Sequence, residues 1–109
     1  MVSLQWNKEF ALEQTAGDQE LLDELLILFR DSSAADYQQL QEATTTKNTE
    51  GILTAAHSIK GAAASLGIEG VRIVAMEIEE YARESQATEL IQGKVTGLGE
   101  LLEQLNLLL

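Results

Sequence analysis

Apolar residues recur at steps of three and four along most of this chain, and no proline interrupts them anywhere in its 109 residues. Proline removes a backbone donor and breaks helix interiors, so its absence lets long helices run, and a stripe of period 3.6 cannot stay on one face of a strand. Only 5% of the residues are aromatic, which weighs further against a turn-rich β-sandwich and sets an all-α expectation. A chain of this length buries one core, so residues 1–109 are expected to form a single domain.

Capping residues divide the stripes. Asn7 caps a short first helix to about Thr15, with Trp6 and Phe10 on either side of the cap as a hydrophobic staple and Gly17 as the stop. Asp18 caps the longest helix, in which Leu22, Leu25, Leu26, Phe29, Ser33, Tyr37 and Leu40 keep the period to about Thr44, with a kink or a close neighbour expected at Ser32-Ser33. Asn48 caps a third helix that runs to Leu66 and stops at Gly67. A fourth begins near Glu69 or Gly70, with Val71, Val74, Ala75, Ile78, Tyr81 and Ala82 facing inward and Arg72, Glu79, Glu80 and Arg83 toward solvent or the boundary. After a turn at Ser85 to Thr88, the last helix carries the seam Ile91, Val95, Leu98, Leu102, Leu105 and Leu109, with Gly93, Gly97 and Gly99 expected to permit close helix contact. Short connections make consecutive long helices antiparallel neighbours. The expected fold is an up-down-up-down antiparallel four-helix bundle with a short additional N-terminal helix across one end.

Charge and composition exclude several functions. Eighteen acidic against seven basic residues give a net charge of −11, which repels nucleic-acid backbones and anionic lipid surfaces, so neither is an expected partner. No apolar run approaches membrane-spanning length and no signal-peptide pattern opens the chain. The Gly93 to Gly97 spacing of a membrane dimer motif is contradicted by Lys94, Glu100 and Glu103 around it. With no cysteine, disulfides and thiolate metal sites are out, which suits a reducing cytoplasm.

One stretch carries chemistry. Ala55 to Gly67 holds the only histidine, His57, followed at helical offsets by Lys60, Gly61 and Ala64 on one face. Ile52, Ala56, Ile59, Ala63 and Leu66 form the buried stripe of the same helix, and His57 stands about 100° round from it, held at its base and open to solvent. A neutral imidazole offers one nitrogen lone pair as a nucleophile. The small Gly61 and Ala64 leave room beside it for another molecule, and Leu53 and Ile68 flank that face with apolar surface. Lys60 puts a cation one turn from the ring, and as an exposed side chain its loss is expected to change chemistry there more than melting temperature.

His57-Ser58-Ile59-Lys60-Gly61 with Leu66-Gly67 resembles the signature of the histidine-containing phosphotransfer (HPt) domain, and the Leu21 to Phe29 run and the Glu79 to Arg83 stretch fall where that family has matching elements. The chain departs from many members at Ala62 and Ala63, where serines are common, which removes possible hydroxyl donors near a phosphate. The resemblance implies a phosphorelay intermediate that needs no cofactor and no metal of its own. His57 would exchange a phosphoryl group with the aspartate of response-regulator receiver domains, and a sensor histidine kinase, hybrid or not, would stand upstream. It also implies that Glu79 accepts from Nδ1–H so that Nε2 keeps its lone pair, and that Arg83 belongs with Leu53, Gly61, Ala64 and Ile68 at the partner-binding face. The chain would be a cytoplasmic monomer and a carrier, not an enzyme. Two other readings stand beside it. A histidine-kinase dimerisation domain usually places an acidic general base where this chain has Ser58, and a purely structural bundle predicts that His57 can be replaced without effect. A di-metal carboxylate bundle fails because Thr54, not glutamate, lies three residues before His57.

Overall fold

The computed structural model describes residues 3–109, which form five helices. The first three start where the capping residues predict. Asn7 accepts from the Phe10 amide at the start of α1 (Lys8–Gln14), Asp18 from Leu21 at α2 (Gln19–Thr45), and Asn48 from Gly51 at α3 (Thr49–Ser65). Each such bond satisfies an amide that the helix itself cannot. α4 (Glu69–Arg83) and α5 (Thr88–Leu108) begin without a side-chain cap.

α2 packs on α3, α3 on α4, α4 on α5, and α5 returns to α2, which closes the up-down-up-down bundle, while α1 touches α2 at one end. At 1.5 Å per residue, α2 is about 40 Å long, close to the full 43 Å extent of the molecule. It stays helical through Ser32 and Ser33, whose hydroxyls donate to the Phe29 and Arg30 carbonyls, and Ser33 meets its neighbours as a buried residue. The core holds most of the expected stripes, including Ile52, Ala56, Ile59, Ala63 and Leu66 of α3, but Leu25, Tyr37 and Tyr81 are only partly buried and Leu101, outside the expected seam of α5, is fully buried.

Three expectations are corrected in α5. Leu109 is exposed, because α5 ends at Leu108 beyond the packed part of the bundle. Gly93 and Gly97 face open space, so they admit no helix. Only Gly99 serves close packing, and it does so against the Tyr37 ring, whose hydroxyl donates to the Val95 carbonyl at 2.9 Å.

The chain before α1 is laced to the three-residue turn between α3 and α4. Trp6 pairs with Ile68 as an antiparallel bridge, Asn7 N donates to Gly67 O at 2.8 Å, Gly70 N to Leu4 O at 2.9 Å, and the Trp6 indole N–H to Leu66 O at 3.1 Å. Two glycines make this possible. Gly67 holds φ at +69°, and a Cβ on Gly70 would lie 2.6 Å from Leu4 O.

Candidate functional site

His57 sits in the middle of α3 with 70% of its side chain exposed. Across from it, α4 supplies Glu79, whose side chain is only 2% exposed. This corrects the expected placement of Glu79 at the solvent boundary. Glu79 lies four residues after Ala75 and three before Ala82, both buried, so it stands on the inward stripe of α4. The alanines around it and at Ala55 and Ala56 of α3 leave space for a carboxylate where a larger apolar side chain would otherwise fill the seam.

Three basic side chains converge on that carboxylate. Lys60 Nζ lies 2.7 Å from Oε1, while Arg83 Nη2 donates to Oε2 at 2.9 Å and His57 Nδ1 stands 3.4 Å from the same Oε2. The Lys60 contact is an ion pair at a poor angle, so Oε1, although buried, has no well-directed hydrogen bond. The His57 contact is longer than a full hydrogen bond. Burial by itself pushes the Glu79 carboxyl up, but the Lys60 ammonium, and then His57, outweigh it and hold the group below the usual carboxylate range. With a neutral imidazole, one carboxylate and two permanent cations leave one net positive charge beside the exposed ring.

The remaining expected residues divide. Gly61 is exposed on the same face as His57, and a Cβ there would meet nothing within 4 Å. Leu53 and Ala64 are half-buried at its edges. Ile68 is fully buried beneath the Trp6 bridge and offers no apolar surface to a partner, which corrects its expected place on this face. Lys60 is not a free surface charge but is 28% exposed and turned onto Glu79, so its removal would strand a buried carboxylate, contrary to the small stability effect expected of it. Arg83, 58% exposed, also folds back onto Glu79.

One contact of α3 with α2 was not expected. Ser58 Oγ donates to Asp36 Oδ2 at 2.7 Å, tying α3 to α2 through the residue that follows the histidine. No local spacing joins residues 22 apart, so only the packing of α2 on α3 discloses it. Among the described residues, no three histidine, aspartate or glutamate side chains cluster to hold a metal ion, and no helix is long and apolar enough to cross a membrane.

A helical bundle that presents a single imidazole on a buried ion cluster defines a class of histidine-bearing bundle, and the comparisons name the family within it. The Hpt domain family model matches residues 24–107, and the chain belongs to that family. Two solved structures share the fold. The HPT domain from the Hpt sensor hybrid histidine kinase of Shewanella is similar with a TM-score of 0.78 at 21% identity, covering 93% of this chain and 86% of that one. Histidine-containing phosphotransfer protein B (HptB) from Pseudomonas aeruginosa PAO1 is similar with a TM-score of 0.84 at 19% identity, covering 95% and 90%. No curated protein matches the sequence. Domains of this family are phosphotransfer carriers in two-component systems, where they interact with response regulators and histidine kinases.

Proposed function

We propose that residues 1–109 form one phosphorelay domain in which His57 accepts a phosphoryl group from the aspartate of a response-regulator receiver domain and returns it in the reverse step. The observation that carries this is the ring itself, 70% exposed with Nδ1 turned toward the buried Glu79. With the proton on Nδ1, Nε2 keeps its lone pair on the solvent side. Attack forms the Nε2–P bond as the P–O bond to the aspartate breaks, and the carboxylate leaves with the electron pair. The ring gains positive charge in that step, next to a carboxylate that compensates it. Lys60 adds positive charge beside the incoming phosphoryl oxygens, and the open surface at Gly61, edged by Leu53, Ala64 and Arg83, admits the receiver.

In this reading the chain has no ATP-dependent catalytic site and needs no cofactor, and any divalent ion belongs to the receiver. It acts in the cytoplasm as a monomer, with a sensor histidine kinase, hybrid or not, upstream and neither nucleic acid nor membrane as partner. A net charge of −11 supports the last point. The test is incubation with a phosphorylated receiver domain. Label on the chain is expected to be acid-labile and base-stable and to be lost in His57→Gln, and equal labelling of that variant would sink the phosphorelay reading. Sedimentation is expected to give one chain, and a tight dimer would favour a kinase dimerisation domain instead.

A further inference from the structure

We infer that Arg83 is a positioning residue that acts on His57 through Glu79, by competing with the imidazole for the one carboxylate oxygen that both reach. The inference rests on His57 being the phosphoryl-accepting residue. Glu79 Oε2 lies 2.9 Å from Arg83 Nη2 and 3.4 Å from His57 Nδ1, while Oε1 faces only Lys60. A guanidinium is permanently charged and a neutral imidazole is not, so Arg83 makes the stronger claim on Oε2. The distances follow that order. Arg83 forms a hydrogen bond of ordinary length, and the ring is left beyond one.

The two donors also differ in how they are held. Arg83 sits on the same helix as Glu79, four residues on, and its side chain is 58% exposed, so it can leave for water at little cost. The His57 ring reaches Oε2 from the neighbouring helix. Before attack, the shared oxygen holds the ring loosely and fixes its Nδ1–H form only in part. As the Nε2 lone pair forms its bond to phosphorus, the ring becomes cationic and its claim on Oε2 rises to match that of Arg83. Arg83 therefore restrains the resting ring and yields to the reacting one.

The experiment uses the whole chain with ¹⁵N-labelled histidine, where a single histidine makes every ring signal that of residue 57. Wild type, Arg83→Gln and Arg83→Lys are compared by ring ¹⁵N shifts at neutral pH and by labelling with phosphoramidate, whose P–N bond breaks to release ammonia as Nε2–P forms. In Arg83→Gln the shifts are expected to move toward the pure Nδ1–H form, and labelling to quicken by about two- to fivefold, the scale of one partly exposed ion pair. Arg83→Lys, which restores a cation within reach of Glu79, is expected to return both toward wild type. In a Glu79→Gln background the Arg83 substitution is expected to change neither. Unchanged ring shifts in Arg83→Gln overturn the competition. Slower labelling in Arg83→Gln also overturns it and makes Arg83 a direct phosphoryl contact. Failure of wild type to label would instead overturn the assignment of His57 as acceptor, while the ring shifts would still decide what Arg83 does.

Discussion

α4 carries a cross-helix glutamate–lysine pair on each flank, and the two pairs differ in almost everything but their chemistry. Toward α3, Glu79 meets Lys60 at 2.7 Å with the carboxylate 2% exposed, and toward α5, Glu77 meets Lys94 at 3.3 Å with both side chains 33% exposed. Exposed glycines stand beside each pair, Gly61 on one side and Gly93 on the other. Only the first flank has a histidine. Water screens the Glu77 pair and can replace either partner, whereas the buried Glu79 depends on its neighbours for all compensation. A polar pair becomes part of a site when burial obliges it to hold its neighbours in place.

The sharpest way to break this contrast is to remove each lysine in turn. Lys60→Ala is expected to cost about 2–3 kcal/mol, somewhat less than removing the sole partner of a buried charge because Arg83 remains, while Lys94→Ala is expected to cost about 1 kcal/mol or less. Urea unfolding of the two variants measures the difference, and equal losses would erase it. The glycines come next. Gly61→Gln is expected to lower transfer from a phosphorylated receiver by about tenfold or more, the effect of about 1.4 kcal/mol, while phosphoramidate labelling persists and Gly93→Gln leaves both unchanged. If Gly93→Gln slows receiver transfer as much, the docking face has been placed on the wrong flank.

Acid titration sharpens the comparison further. The Glu79 carboxyl titrates below its ordinary value of 4.5, because Lys60 and His57 outweigh burial. A lowered carboxylate contributes stability above its unfolded value and loses it as pH falls through the folded one. The stability gap between wild type and Glu79→Gln is thus expected to be full above the carboxyl's ordinary value of 4.5 and to narrow as the solution becomes more acidic. A gap that does not change with pH would show that Glu79 acts by shape and not by charge. The smallest effect is expected from Gly61→Ala, which meets open space and should stabilise α3 by roughly 0.5–1 kcal/mol. A loss of stability there would mean that α3 packs against something at Gly61.

The fold was legible where its signals are local. Asn7, Asp18 and Asn48 mark helix starts by side-chain chemistry that acts within three residues, and the stripe from Ile52 to Leu66 follows from period alone. The candidate site was legible in part, since His57, Lys60, Glu79 and Arg83 do come together, but their arrangement was not. Glutamate is assigned to water by default, yet Glu79 keeps step with Ala75 and Ala82, and that spacing was the available clue to its burial. Ile68 reads as exposed when α3 is considered alone, since the segment that covers it lies about sixty residues earlier. Gly93 and Gly97 read as packing residues because a helix-interior glycine has a cost, but the same cost is paid at a surface, and no spacing separates the two cases. The Ser58 to Asp36 contact depends on helix pairing and leaves no trace in either segment.

The lacing of Leu4 to Trp6 against Gly67 to Gly70 has a consequence for the angular phase of α4. A helix turns about 100° for each residue, so a slip of one residue at the α3–α4 turn would swing Glu79 out of the seam and away from both Lys60 and His57. The bonds to Leu4 O and Gly67 O pin that turn by its backbone, and Gly70 admits the approach only because it has no side chain. Gly70 lies nine residues, or about 13 Å along the helix, from the carboxylate whose aim it fixes. The reactive geometry is thereby indexed from the far end of α4, as a key is set by its shoulder, by a clasp that contains none of the charged groups.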